Sequence, residues 1–291
     1  MEALDHILKK HWDYDSFRPQ QLAVIESILA GKDTLALLPT GAGKSICFQV
    51  PTIYQRGICI VISPLIALMQ DQVKDLVSKN LKAVLLGSQL SAQEESIVFK
   101  EIEAKKYQFI YCSPEKLAQK HFQTLLNGLP IQLFAIDEAH CISQWGYDFR
   151  PSYLNIAKLK EQLKDVPFIA LTATATPLVV KDIQKRLLFK KPNVIQKSFL
   201  RKNLAYVVRK SENTIASMLK VIDRGEKIYW ICPAIEENEE LNLISVESKF
   251  NELQKIFGEK NIAIIHGKMK ESQKEQVMQD FANPNDRFFN I

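Results

Sequence analysis

Two short segments carry the residue types that together handle phosphate and a divalent cation. The first, Leu38-Pro39-Thr40-Gly41-Ala42-Gly43-Lys44-Ser45, follows the apolar run Asp33 to Leu38 and leads into a helical pattern. A turn with two glycines that opens onto a helix N-terminus offers an anion backbone N–H groups and the positive end of a helix dipole. Thr40, Gly41, Ala42 and Gly43 would form the cradle, Lys44 would reach the β- and γ-phosphates, and the Ser45 hydroxyl would ligate Mg²⁺. The second segment, Asp137-Glu138-Ala139-His140, comes about ninety residues later, after the apolar run Leu133 to Asp137. Asp137 would hold the metal and Glu138 would polarise the attacking water as general base; His140 and Lys44 complete the expected catalytic set. A chance helix entry would account for GAGKS alone but not for the pair.

Other segments indicate what the triphosphate is for. Tyr14-Asp15-Ser16-Phe17-Arg18-Pro19-Gln20-Gln21 begins thirty residues before Lys44. The Gln21 amide can donate to and accept from an adenine edge, the Tyr14 ring can stack on its face, and Arg18 belongs to the same set. Ser63 and Pro64 open SPLIALMQDQ, where backbone amides and small polar groups can hold sugar-phosphate oxygens; Leu65, Leu68 and Met69 are expected to be core residues of the helix that follows. After His140, the run Ile142-Ser143-Gln144-Trp145-Gly146-Tyr147-Asp148-Phe149-Arg150-Pro151 puts three aromatics and an arginine within a few residues, interrupted by Gly and Asp. It reads as a loop. Gln144, Trp145, Tyr147, Phe149 and Arg150 suit single-stranded nucleic acid, where bases stack on rings for about 1–3 kcal/mol each and Arg contacts phosphate. Core packing is the competing reading for Trp145 and Phe149. The hydroxyls of Thr172 and Thr174, at the end of another strand, are placed to couple the DEAH segment to the nucleic-acid side.

The elements that must position these residues are legible as an alternation. Strand candidates Thr34–Leu38, Ile58–Ser63, Ala83–Leu86, Phe109–Cys112, Leu133–Asp137 and Phe168–Thr172 are separated by helical patterns, the signature of βαβ units in a parallel sheet. Ligands of such α/β sheets bind beyond the carboxyl ends of the strands, so the motifs found there share one cleft. Residues 1–210 form the expected first domain, 211–227 a linker, and 228–291 a second, incomplete α/β domain with strands at Ile228–Cys232, Ile262–His266 and Phe288–Ile291 and helices at Val246–Phe257 and Glu271–Phe281. The acidic run Glu236-Glu237-Asn238-Glu239-Glu240 is expected to be a solvated loop or helix face.

FRPQQ, TGAGKS, SPLIALMQDQV, DEAHCISQWGYDFRP and ALTATA, in this order between about His11 and Arg209, resemble the first motor domain of the RecQ family of superfamily 2 DNA helicases, and SFLRKNLAYVV extends the match. Leu38, where many P-loops have glycine, suits superfamily 2. Tyr147 stands where the family usually has His, which keeps stacking and removes a titratable group. The resemblance implies a RecA-like P-loop sheet with flanking helices, ATP and Mg²⁺ as cofactors, and DNA, single-stranded or with a single-stranded tail, as partner. It further implies 3′→5′ unwinding driven by ATP hydrolysis in recombination and repair. Residues Ile228–Glu240, Ile264–Met269 and Gln276–Phe281 instead resemble the second motor domain of RecG-type branch-migrating helicases, which gives a partial second RecA-like lobe.

Composition narrows the class without choosing it. The 291 residues suffice for two domains, and a net charge of +5 is compatible with nucleic acid but does not identify it. Five scattered cysteines form no C-x-x-C or Cys/His cluster, so no zinc site is expected; Cys47, Cys59 and Cys112 read as small buried hydrophobes of a reduced cytoplasmic protein, in the bacterial cytosol or nucleoid. No signal-peptide core and no 18-residue apolar stretch occur, so no membrane is expected.

Two readings of the chain remain. It is an ATP-hydrolysing DNA helicase, or it is a nucleotide-gated single-strand binder that does not unwind, because the only arginine after Arg224 is Arg287 and no Q-x-x-G-R-x-G-R motif supplies an arginine finger. Loss of such a finger costs about 10³–10⁵ in kcat. An RNA helicase of DEAH type is disfavoured by the aromatic-rich loop, and a metabolic kinase or transporter would need a lid or signature loop that the sequence does not show.

Overall fold

The structure is a computed structural model that describes residues 2–87, 90–146, 148–163, 165–189, 193–197, 214–232, 245–283 and 289–290. Contacts divide the chain into two compact units, Met1–Leu204 and Ala205–Ile291.

The strands of the first unit are β1 (Thr34–Leu37), β2 (Ile58–Ile62), β3 (Ala83–Leu86), β4 (Phe109–Cys112), β5 (Ile131–Ile136), β6 (Phe168–Thr172) and β7 (Val194–Gln196). They pair in parallel in the order β3-β4-β2-β5-β6-β1-β7. Side chains alternate between two cores. Leu35, Leu37, Ile60, Ile62, Phe134, Ile136 and Phe168 pack on one face, and Ala36, Cys59, Val61, Leu133, Ala135, Ile169 and Leu171 on the other. Both faces are covered, which is why the strands read as unbroken apolar runs. The helices are α1 (Glu2–Trp12), α2 (Pro19–Leu29), α3 (Ile46–Gln55), α4 (Ile66–Ser78), α5 (Ala92–Glu103), α6 (Pro114–Leu117), α7 (Lys120–Asn127), α8 (Leu154–Gln162) and α9 (Pro177–Arg186). Phe48 of α3 and Met69 and Leu76 of α4 cover one face; Phe122 of α7, Ile156 of α8 and Ile183 of α9 cover the other.

Strand β7, three residues long and partly exposed, carries too little pattern to be read from sequence; its partner β1 defines it, with Leu35 opposite Val194. At the amino ends of the strands, Lys160 donates to Asp33 Oδ1 at 2.6 Å and to the Val166 carbonyl at 2.9 Å, while the Phe168 N–H donates to the same Asp33 oxygen at 2.9 Å. This largely enclosed pair ties the starts of β1 and β6 to α8.

In the second unit, β8 (Ile228–Tyr229), β9 (Ile262–Ala263) and β10 (Phe289–Asn290) form a parallel sheet in the order β8-β10-β9, with helices α10 (Thr214–Ile222), α11 (Val246–Phe257) and α12 (Glu271–Ala282). Residues 214–222, within the expected linker 211–227, form a helix, and Met218 and Ile222 pack with Val246, Leu253 and Ile262. The segments 198–213, which includes SFLRKNLAYVV, and 233–244, with its acidic run, lie outside the described residues, as does Arg287.

Candidate functional site

Register brings the sequence motifs together. Leu37 lies opposite Thr172, and Ile62 opposite Ile136, so the P-loop after β1, Ser63 after β2, Asp137 after β5 and Thr172 at the end of β6 share one edge of the sheet. The chain leaving β1 crosses β6 and β5 to reach β2, which puts this edge at a switch in strand order, where open α/β sheets form their ligand crevice.

The P-loop is held from behind by α2. Arg18 Nη1 donates to the Gly41 carbonyl at 2.7 Å, and Gln21 Nε2 donates to the carbonyls of Ala42 at 2.9 Å and Gly43 at 3.2 Å. Gln21 Oε1 accepts from the Arg18 N–H at 2.9 Å. Three consecutive carbonyls therefore point at α2, and because each peptide is planar, the N–H groups of Gly43 and Lys44 point the opposite way, as a phosphate cradle requires. Gly41 and Gly43 have φ of +76° and +73°, which glycine adopts freely. At Gly43 a Cβ would also stand 2.4 Å from Gln21 Nε2. Gln21, expected to read adenine, has its Nε2 on two P-loop carbonyls and its Oε1 accepting from Arg18, so donating to a base requires it to release a P-loop carbonyl. Tyr14, 56% exposed, keeps its ring accessible before α2. Ser45 is the N-cap of α3, with no capping bond from its hydroxyl.

The two carboxylates of the DEAH segment are differentiated by their surroundings. Burial pushes Asp137 up, with the Glu138 charge adding to it, whereas a hydrogen bond from His140 holds Glu138 below the usual carboxylate range. Glu138 Oε2 and Thr172 Oγ1 lie 3.2 and 3.1 Å from His140 Nδ1. Thr172 Oγ1 also accepts from the Thr174 N–H at 3.1 Å. The donor set suits Mg·ATP: a hydroxyl and a buried carboxylate for the cation, and an amine and turned amides for the phosphates.

Beyond His140 the chain makes a 3₁₀ turn, Ala139–Ile142, then the aromatic-rich loop, then a second 3₁₀ turn, Pro151–Tyr153. Trp145 is 67% exposed, which answers the core reading for this residue, and Gln144 is exposed as well; Phe149 is half-buried. Trp145, Gly146 and His140 line a groove of about 540 Å³ together with Ala173–Thr176 and Val179. Tyr147 lies outside the described residues.

Packing bears on two residues expected at nucleic acid, Arg150 and Ser63, and on two expected in the core, Leu65 and Leu68. Arg150 does not stand free: Nη2 and Nε donate to Asp148 Oδ2 at 3.2 and 3.3 Å and Nη1 donates to the Pro64 carbonyl at 3.3 Å. The Ser63 side chain is 1% exposed, which leaves its hydroxyl enclosed in this structure. Leu65 and Leu68, read as core, are 46% and 37% exposed; of that trio only Met69 is buried. The N-terminal turn of α4 thus shows apolar side chains to the surface beside the loop that Arg150 ties to Pro64.

Sequence reasoning missed Asp148 as the partner of Arg150, Asp182 as the acceptor of the Ser143 hydroxyl at 2.7 Å, and Tyr153, whose hydroxyl donates to the Asp137 carbonyl at 3.1 Å. No local pattern marks them, because each acts on a residue brought near by folding. His140, Cys141 and Asp148 place ligand atoms within 4.8 Å of one another, but burial pushes the Cys141 thiol up to about 12 and Asp148 is paired with Arg150, which disfavours a cation there. All five cysteines are free, and Cys47, Cys59 and Cys112 are buried as expected. Among the described residues no helix is long and apolar enough to cross a membrane.

Comparison with known proteins gives this geometry a family. The DEAD/DEAH box helicase profile matches residues 18–183, more than half of the chain, and the chain belongs to that family. Within it, the first unit is a RecQ-like superfamily 2 motor domain. The ATP-dependent DNA helicase RecQ of Bacillus subtilis (strain 168) is 45% identical over 209 residues, 71% of this chain and 35% of its own length. RecQ of Pasteurella multocida (strain Pm70) is 34% identical over 287 residues, 97% of this chain and 43% of its own length. The chain thus spans less than half the length of these relatives. The second alignment also runs through the second unit, so RecQ-type similarity extends to residues 228–281. The DNA-bound crystal structure of the DUF1998 helicase MrfA superposes with a TM-score of 0.69 at 16% identity, covering 99% of this chain and 44% of that one, which supports the RecA-like fold.

Proposed function

We propose that this chain is the motor portion of a RecQ-type DNA helicase, which binds Mg·ATP between the P-loop and the DEAH segment and grips single-stranded DNA, or the single-stranded tail of a duplex, at the aromatic-rich loop. The observation that carries the reading is one hydrogen-bonded series. Glu138, the carboxylate proposed to polarise water, is bonded to His140, His140 to Thr172, and His140 and exposed Trp145 line the same groove.

Bound Mg²⁺ would neutralise phosphate charge and the triphosphate would supply the bond that is broken. The chain's own residues do the rest. The amides of Gly43 and Lys44 and the Lys44 amine orient the phosphates, Ser45 and Asp137 hold the cation, and Glu138, kept ionised by His140, accepts a proton from water. Gln21 and Tyr14 face the adenine once the Gln21 amide lets go of one carbonyl. Trp145 and Phe149 stack on bases, Gln144 and Tyr147 extend that surface, and Arg150 reaches a phosphate when the strand draws it from Asp148. Movement of the loop is passed through His140 and Thr172 to Glu138, so that hydrolysis follows grip. Residues 1–210 carry this site, 228–291 belong to the second lobe, and the protein works in the bacterial cytosol or nucleoid on recombination and repair intermediates with 3′→5′ polarity.

Steady-state ATP hydrolysis by the 291-residue chain, with and without single-stranded DNA and beside Lys44→Ala, tests the proposal. Stimulation by DNA that disappears in Lys44→Ala is the expected result. Background turnover in the presence of measurable ATP and DNA binding would replace the motor by a nucleotide-gated DNA clamp.

A further inference from the structure

The peptide joining Asp137 to Glu138 is held from both sides. Its carbonyl accepts from the Tyr153 hydroxyl at 3.1 Å, and its N–H donates to Asp137 Oδ1 at 3.0 Å. Glu138 has φ +47° and ψ +45°, a left-handed conformation that for a non-glycine residue costs about 1–3 kcal/mol and persists only where neighbours enforce it. Rotation of this one peptide would swing the Asp137 carboxylate, through the N–H bonded to it, and the Glu138 side chain together.

Tyr153 is completely buried, and burial pushes its phenol far above the usual tyrosine range, so it is a permanent donor. It is also wired to the aromatic-rich loop. Its N–H donates to the Arg150 carbonyl at 3.0 Å, the Arg150 N–H donates to the Cys141 carbonyl at 2.9 Å, and the Arg150 guanidinium joins Asp148 to Pro64. The loop is therefore closed at its base by Cys141 and Arg150, and Tyr153 is the first buried side chain on its exit.

We infer that Tyr153 is a positioning residue that transmits the state of the aromatic-rich loop to the Asp137–Glu138 peptide, a route into the backbone separate from the side-chain route through His140 and Thr172. A strand that pulls Arg150 from Asp148 moves the second 3₁₀ turn, and the Tyr153 hydroxyl carries that movement to both carboxylates. The inference rests on the reading that nucleotide and single-stranded DNA bind at these two places.

The test measures coupling rather than turnover. Affinity of a fluorescent oligo(dT) is measured with and without Mg·AMPPNP, for wild type and Tyr153→Phe, which removes one oxygen and keeps the ring. Wild type is expected to change its DNA affinity by about 5–150-fold when Mg·AMPPNP is bound, the ordinary range of coupling between two sites. Tyr153→Phe is expected to keep each single-ligand affinity and to bring that ratio close to one. A merely structural tyrosine would weaken one or both ligands and leave the ratio, so an unchanged ratio overturns the inference. A wild type that binds both ligands with a ratio of one overturns it as well, whereas a wild type that binds neither overturns the function proposed above. Should Tyr153→Phe not fold, hydrogen exchange at the Glu138 amide of wild type decides: altered protection on adding oligo(dT) alone supports the link, and unaltered protection with DNA bound overturns it.

Discussion

Replacing Gln21 with alanine separates two roles for that side chain. Its amide makes three hydrogen bonds, one from the Arg18 N–H and two to P-loop carbonyls, all at 2.9–3.2 Å, one buried and two partly buried. At about 0.5–1.5 kcal/mol net for each bond, the loss is about 1.5–4.5 kcal/mol. In a unit of about 200 residues, where 1 kcal/mol moves Tm by roughly 2–4 °C, melting without nucleotide should fall by roughly 3–18 °C. Differential scanning fluorimetry in the absence of nucleotide reads this, and calorimetric titration with ATP and GTP reads base selection. An amide that serves only to recognise adenine would leave the nucleotide-free Tm unchanged while ATP affinity fell, and that result would refute the clamp. Gln21→Glu sharpens the test, because an ionised carboxylate facing the Ala42 and Gly43 carbonyls should be at least as harmful as alanine.

Three further expectations follow from the same geometry. Trp145→Ala should weaken oligo(dT) binding, measured by fluorescence anisotropy, by the worth of one stacked base, about 1–3 kcal/mol or roughly 5–150-fold, with Tm unchanged because the ring is 67% exposed. Lys160→Met should lower stability to denaturant by up to about 3–5 kcal/mol, the value for a fully buried pair, since it leaves the partly buried Asp33 carboxylate without its cation, and adding Asp33→Asn should restore much of that; equal stability of the single and double variants would deny the pair its role. Burial pushes the thiols of Cys47, Cys59 and Cys112 up to about 12, so in the folded protein near pH 8 they remain protonated and react with Ellman's reagent far more slowly than Cys232, which is partly exposed. Because the folded pKa lies above the unfolded value, the buried thiols stabilise the fold below about pH 8.5 and this contribution is lost as pH rises above it.

What the sequence determined by itself was local. Gly41, Gly43, Lys44 and Ser45 announce a phosphate cradle because backbone freedom, cationic charge and a hydroxyl occur at fixed offsets along one turn. Six of the seven strands of the main sheet were legible because burial on both faces demands continuous apolar runs, whereas β7 takes its identity from β1 alone. The loop character of the segment around Trp145 was legible because no regular element tolerates that mixture of aromatics, glycine and proline.

Tertiary structure decided the partners, because a hydrogen bond or ion pair depends on residues that the sequence does not place side by side. Gln21 holds the P-loop because α2 packs behind it, Arg150 is claimed by Asp148 and the Pro64 carbonyl, and Ser63 is enclosed by the strand ends around it. Leu65 and Leu68 have the spacing of a core helix and yet face outward, since periodicity gives the apolar stripe of a helix but not whether a neighbour covers its first turn. Tyr153, unremarkable in the sequence, acquires its place only when the chain returns it beneath Asp137.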